Sequence, residues 1–264
     1  MRNFNTIERM GRKIISVILI KYQELFPTSI PIFVINYNRL TDLKKLLTSL
    51  NKLGYKNIYI IDNNSTYPPL LDFYQNNNSH FKVLYQKDNI GHLVFWQKPE
   101  IFYKYSLGYY VVTDSDIIPN ADLPKDFMNT LIKTLKKNPK FTKAGFALKI
   151  DDLPDYYTLK KEVLNWEKKF WENSSENNCY LGEIDTTFAL YRPRYLIDAD
   201  FYSGVRVAGN FTAKHGGWYL NAENMSEEEI FYFKSANDSS SWIFDSSGKI
   251  QINSNNKPYL EDIK

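Results

Sequence analysis

The chain has one cysteine, Cys179, among 264 residues. That excludes an internal disulfide and fits a reducing compartment, or a chain that never needed a bridge. Long hydrophobic runs are missing as well. The apolar stretch of the N-terminal segment, residues 14–20, is seven residues long, whereas a bilayer-crossing helix needs about 20. Nor does the body of the protein carry an excess of one sign of charge. Residues 1–30 hold Arg2, Arg9, Arg12, Lys13 and Lys21 against Glu8 and Glu24, which accounts for the whole formal net charge of +3. The remainder is neutral, so no nucleic-acid partner is expected. There is no internal repeat and no long low-complexity linker.

What is present fits one modest enzyme domain: 43% hydrophobic and 24% charged residues are ordinary for a globular chain with a sizeable core. Asn, Lys and Ile are abundant and aromatics reach 16%, a bias that base composition can produce. Motifs written in Asn are therefore cheap, and the Asn-x-Ser/Thr sequons carry little weight without a secretory signal. Residues 1–29 form a basic amphipathic segment with no small-residue cleavage site after its apolar run. The expectation is a helix that packs on the domain or lies on an anionic membrane surface, the protein being cytoplasmic and, in the second case, peripheral at the inner face.

From residue 30 the chain alternates strand and helix. Strands are expected over 32–36, 57–62, 81–85 and 109–114, and helices from a cap at Thr41 or Asp42 to near Gly54, over 70–76 and over 93–106. Leu43, Leu46, Leu47 and Leu50 set the stripe of the first helix. Repeated strand–crossover–strand units imply a doubly wound α/β sheet, mostly parallel and flanked by helices. Further on, helices are expected over 126–137, 158–171 and 227–236, the last with Ser226 and Glu229 as a capping box. A strand is expected over 144–150, and 183–191 reads as a turn entering a strand. Trp166 and Phe170 share a helix face with Leu159 and Val163 and read as core. Residues 241–264 read as a polar, peripheral tail.

The most informative stretch is Tyr109-Tyr110-Val111-Val112-Thr113-Asp114-Ser115-Asp116. Side chains alternate along a strand, so Asp114 and Asp116 point the same way and Ser115 opposes them. Two like-directed carboxylates at the carboxyl end of a buried strand are costly without a cation. A divalent ion carrying a diphosphate would offset that cost, and open α/β sheets bind ligands at that end. Other strand ends point to the same crevice: Asn36, Asn38 and Arg39 after the first, Asp62, Asn63 and Asn64 after the second, and Asn89, Gly91 and His92 after the third.

With the runs Phe33-Val34-Ile35-Asn36-Tyr37-Asn38-Arg39, Ile60-Ile61-Asp62-Asn63-Asn64-Ser65, Asn89-Ile90-Gly91 and Thr113-Asp114-Ser115-Asp116, residues 30–220 resemble the GT-A-fold glycosyltransferases, especially family-2-type bacterial enzymes. The resemblance implies a Rossmann-like GT-A domain over 30–240, with a nucleotide-binding half (30–120) and an acceptor half (121–240). It implies a nucleotide-diphosphate-sugar donor, UDP-sugar favoured, and Mn²⁺ or Mg²⁺ as cofactor. The acceptor would be a hydroxyl of a glycan or lipid-linked molecule, as in bacterial surface polysaccharide synthesis. By that pattern Asp62 touches the base, Asp114 the ribose side and Asp116 the metal. His215 completes the metal or diphosphate site, with Asp114 a third candidate ligand. Asn36, Asn38, Arg39, Asn63, Asn89, Gly91, His92 and Ser115 fill out the donor site. Of the acidic pair, Asp185 is expected as the base with Glu183 in competition, because Thr186 and Thr187 place Asp185 at the lip of a strand. Thr186, Thr187 and Trp218 would meet the sugar acceptor, and Lys214 or Arg206 would neutralise phosphate.

Direct displacement with inversion is the expected mechanism, and a retaining transferase is the near alternative. A sugar nucleotidyltransferase would need a Gly-rich basic loop where Asn36-Tyr37-Asn38-Arg39 stands. An inactive carbohydrate-binding homologue is the third reading.

Overall fold

Strand β1 (Ile32–Asn36) is buried along its whole length, and its side chains feed two separate cores. Ile32 and Val34 join Leu43, Leu46, Leu47 and Leu50 of helix α2 (Thr41–Lys52) on one face of the sheet. Phe33 and Ile35 join Tyr59, Phe95, Trp96 and Tyr110 on the other. A strand covered on both faces must be apolar throughout, which is why this run reads continuously hydrophobic rather than alternating. The structure, a computed structural model, describes residues 5–77 and 79–237.

Strands β2 (Ile58–Asp62), β3 (Lys82–Tyr85) and β4 (Tyr110–Asp114) complete a parallel block in the order β3-β2-β1-β4. Ile32 pairs with Ile58 on one side and with Val111 on the other. The sheet continues through β5 (Ile117–Pro119), β6 (Lys143–Leu148), β7 (Cys179–Glu183), β8 (Ala189–Tyr191) and β9 (Ser203–His215). Beyond β4 the order is β8-β6-β9-β5, with β7 also on β9. Tracing the pairings, β1 to β4, β6 and β9 run one way and β5, β7 and β8 the other. The expected mixed α/β architecture with a mostly parallel, helix-flanked sheet is the one observed, and it is consistent with a Rossmann-like GT-A fold.

Helices α3 (Pro68–Asn76) and α6 (Phe127–Lys137) bury Leu70, Tyr74, Phe127, Met128 and Leu131 in the first core. The single helix expected over 93–106 is two, α4 (Val94–Gln97) and α5 (Pro99–Tyr105). Pro99 lacks the N–H that a continuous helix needs and drives Lys98 into extended backbone. Helix α7 (Lys160–Lys168) is also shorter than expected and tightens into a 3₁₀ turn over Lys169–Trp171. The turn entering a strand expected over 183–191 is present as the loop 184–188 leading into β8, and Glu183 also ends β7. Helix α8 (Glu227–Ser235) starts at the anticipated capping box: Ser226 Oγ accepts from Glu229 N, and the Glu229 carboxylate accepts from Ser226 N. Ser235 hydrogen-bonds to Asn38 and accepts from Tyr37 Oη through its carbonyl. The tail over 241–264 lies outside the described residues.

The N-terminal segment forms helix α1 (Thr6–Leu25), opened by a capping box between Asn5 and Glu8. It packs on the domain, as one of the two expectations held, and it does so through polar side chains. Ser16 Oγ donates to the Leu107 carbonyl at 2.6 Å, and Arg12 donates to the Tyr103 carbonyl at 2.7 Å. The buried Gln23 amide both donates to the Tyr109 carbonyl and accepts from the Tyr109 N–H. Gly108 permits this approach: a Cβ there would stand 2.3 Å from Gln23 Oε1.

Candidate active-site cleft

The carboxyl ends of β1 and β4, the loop after β3, the 184–188 loop and the end of β9 surround a cleft of about 410 Å³. Its position follows from topology. β4 ends the parallel block, so the chain beyond it opens away from the sheet, where ligands of α/β folds collect.

Asp114 is tied to the far wall. Its backbone N–H donates to the Thr186 carbonyl at 2.8 Å, and Thr186 Oγ1 donates a short hydrogen bond to Asp114 Oδ2. Burial, helped by the charges of Asp116 and Asp185 and opposed by the Thr186 bond, holds the Asp114 carboxyl well above the usual carboxylate range. Asp116 is the opposite case. Burial alone would raise its pKa, but His215 and Arg39 outweigh it and bring the carboxyl below its ordinary value. Two like-directed acids thus sit in one site with their ionisation pushed apart.

His215 arrives by strand register. β5 pairs antiparallel with β9 so that Ile117 faces His215, and the next residue, Gly216, donates its N–H to the Asp116 carbonyl at 2.7 Å. His215 Nδ1 lies 3.8 Å from Asp116 Oδ2, and it is buried without a hydrogen-bond partner. A Cβ on Gly217 would press on the imidazole at 3.2 Å, so glycine there makes room for the ring. The ring also stacks on Trp218 at 4.9 Å and 16°. One face of Trp218 is therefore covered, and the indole is 4% exposed, which corrects the expectation of an open sugar platform.

Across the cleft, the side chain of Asp185 is 53% exposed at the mouth, 3.9 Å from His92 Nε2. Glu183, Thr186 and Thr187 line the same side, and Arg39, Asn63, Asn89, Gly91 and Ser115 line the donor side. Fourteen of the expected residues thus border one cavity. Asn36, Asn38 and Asp62 do not. Asp62 is buried with both oxygens engaged, accepting from Ser65 N at 2.8 Å and from Tyr74 Oη at 3.0 Å. Asn36 Nδ2 donates to the same Tyr74 hydroxyl at 2.7 Å. Asn38, at φ 50°, accepts from Thr66 N and Tyr67 N and donates to Ser235 Oγ. Here the three residues brace the turns after β1 and β2.

The two basic residues expected at phosphate are otherwise occupied. Lys214 pairs with Asp152 at 2.7 Å and does not line the cleft. Arg206 does line it, yet pairs with the buried Glu167 at 2.5 Å and donates to the Glu183 carbonyl at 2.7 Å. Beside that pair, Trp166, Phe170 and Tyr202 form an aromatic wall. Trp166 and Phe170 were expected in the core; Phe170 is buried there, under the Arg206 guanidinium at 4.0 Å, whereas Trp166 is only partly buried.

Lys143 was missed altogether. It is fully buried under the acidic loop, its Nζ 4.4, 4.9 and 5.5 Å from the ring centres of Phe201, Tyr191 and Tyr202. Burial drives its pKa down to about 7, with Arg206 adding to the depression and Asp185 and Glu183 opposing it. A lysine opening a strand carries no mark of this in the sequence.

No protein-family model matches the chain, and no curated protein matches it. Among solved structures it is similar to the mannosyltransferase PcManGT from Pyrobaculum calidifontis in complex with GDP-Man and Mn²⁺ (10% identity, TM-score 0.41, covering 85% of this chain and 71% of that one). It is also similar to S. aureus TarS 1–349 (13% identity, TM-score 0.38, 83% and 67%). A third is a cytidylyltransferase from Leptospira borgpetersenii (9% identity, TM-score 0.33, 53% and 71%). Likenesses this distant decide nothing about activity, and the functional reading rests on the cleft.

Proposed function

We propose that this chain is a glycosyltransferase that transfers a sugar from a nucleotide-diphosphate donor to an acceptor hydroxyl, with Asp185 as general base. The observation that carries the reading is the pair Asp116 Oδ2 and His215 Nδ1, 3.8 Å apart, the nitrogen buried and unpartnered at the ligand-binding end of the sheet. An unsatisfied buried imidazole nitrogen beside an ionised carboxylate suits two ligands of one divalent ion. Among the described residues no group of three or more such side chains surrounds a common point. Asp116 and His215 would supply the one or two protein ligands with which Mg²⁺ or Mn²⁺ is held beside phosphate oxygens. When bound, the ion neutralises charge gathering on the departing diphosphate.

The chain's own groups supply the rest. Asp116 and His215 fix the diphosphate end, while Arg39 places a positive group beside Asp116. Asp114, locked to Thr186, ties the donor wall to the acceptor loop, so the spacing between leaving group and base is set by one hydrogen-bonded unit. Asp185, exposed at the mouth, can take the proton from an acceptor hydroxyl as its oxygen attacks the anomeric carbon, giving inversion. The nucleotidyltransferase alternative is disfavoured because the N–H groups of Asn38, Leu40 and Thr41 after β1 already donate to Ser65 and Glu228 rather than standing open to a phosphate.

The test is a thermal-shift screen of nucleoside-diphosphate sugars with and without Mn²⁺. Stabilisation by one donor that requires the metal, and that disappears in Asp116→Ala, is the expected result. Metal-independent stabilisation, equal in wild type and variant, would overturn the metal assignment.

A further inference from the structure

Helix α1 is amphipathic in the reverse of the usual sense. Its polar residues Arg12, Ser16 and Gln23 face the domain, with Leu19 and Ile20 beside them, and its other apolar residues face solvent. Ile7, Met10, Ile14, Val17, Ile18 and Leu25 are between 60% and 82% exposed, and Ile15 and Tyr22 just over half. At about 100° per residue these side chains share an arc of about 160°. No helix among the described residues is long and apolar enough to cross a membrane.

We propose that this face of α1 is a docking surface for an anionic lipid bilayer, with the helix lying in the plane of the interface. Three features favour lipid over a second copy of the chain. The arc is far wider than the two-residue seam along which a pair of helices interdigitate, and so wide a face suits immersion in a fluid surface. Lys21 stands within the arc, 77% exposed. At a bilayer its stem lies along the apolar layer and its ammonium reaches the headgroups, whereas a protein seam would bury the charge. The charge around the arc is also complementary to anionic headgroups. Both acids of the helix are engaged locally, Glu8 in the N-terminal cap and Glu24 with Lys136 at 2.6 Å and with Lys21. Lys13 remains exposed on the flank, and Lys133 and Lys137 are exposed on α6, whose Lys136 bridges to α1. The polar attachment to residues 103–109 holds the domain to the helix while its other side is immersed.

The proposal is tested on the full chain by co-sedimentation with vesicles of phosphatidylglycerol and phosphatidylcholine, and with phosphatidylcholine alone, at low and high salt. The expected result is binding to the anionic vesicles that salt weakens. Ile14→Glu/Ile18→Glu should reduce it by at least about a hundredfold, since two large apolar groups lose their burial. Both positions point outward, so the melting temperature should be unchanged. Lys13→Glu should lower the preference for anionic over neutral vesicles several-fold. Failure of the intact protein to bind either vesicle would overturn the proposal. So would a concentration-dependent dimer that Ile14→Glu/Ile18→Glu converts to monomer without any change in vesicle binding. Neither result would bear on the sugar-transfer reading, which is read out by donor binding.

Discussion

The Lys143 ammonium nitrogen lies 3.2 Å from the Tyr191 hydroxyl, sealed from solvent beneath the acidic loop that carries Glu183 and Asp185. Its folded pKa of about 7 stands below the roughly 10.4 of an unfolded lysine. Between those values the unfolded chain binds the proton and the native one does not, so stability rises with pH across that window. Below it, lysine is protonated in both states and the full cost of a buried charge is felt. Lys143→Met should therefore raise the melting temperature at or below neutral pH and lose that advantage as the pH approaches about 10. Melting curves of both proteins across this range provide the check. A difference that does not change with pH would mean that Lys143 acts by shape alone.

Asp185→Asn should keep donor affinity and lower transfer by at least about a hundredfold, the ordinary lower contribution of a positioned base. The amide preserves shape but takes no proton. Glu183→Gln is the partner measurement, because both acids line the cleft. Single-turnover transfer by the two variants assigns the base. Full activity in Asp185→Asn with collapse in Glu183→Gln moves the role to Glu183, and full activity in both points to a retaining mechanism.

Tyr74→Phe removes the hydroxyl shared by Asn36 and Asp62. It should cost about 1–3 kcal/mol of stability in chemical denaturation, the usual penalty for stranding buried polar groups, and leave donor affinity unchanged. Lost donor affinity at unchanged stability would return Asp62 to the nucleotide.

Glu167→Leu strands the buried Arg206 guanidinium and should destabilise by about 3–5 kcal/mol, whereas Glu167→Leu/Arg206→Met should regain most of that loss. Urea unfolding of the three proteins decides it. A double variant no better than the single would mean that the Arg206 bond to the Glu183 carbonyl matters more than the ion pair.

The parallel half of the sheet was legible because its strands are continuous apolar runs ended by turn residues, and Asp114, Asp116 and Asp185 fell where such ends converge. The other half was obscure for definite reasons. β9 mixes Arg206, Asn210 and Lys214 among small residues because its side chains serve three neighbours and a cleft, so it follows no clean period. Asp62 and Asn38 are residue types that suit a ligand or a turn equally. What binds them, Tyr74 and Ser235, lies 12 and 197 positions away, beyond the reach of local pattern.

Strand β9 also makes an excursion. Opposite β6 its partners pass from Val207 directly to Thr212, leaving 208–211 outside the ladder, with Gly209 at φ +70° and both Gly209 and Asn210 exposed. The flanks are pinned independently, Arg206 against β7 and His215 against β5. Extra length at this point has somewhere to go, since neither flank depends on the excursion for its register. It is a natural graft site. A short peptide epitope or fluorophore-bearing insert between Gly209 and Asn210 would project from the exposed excursion while both flanks keep their alignment.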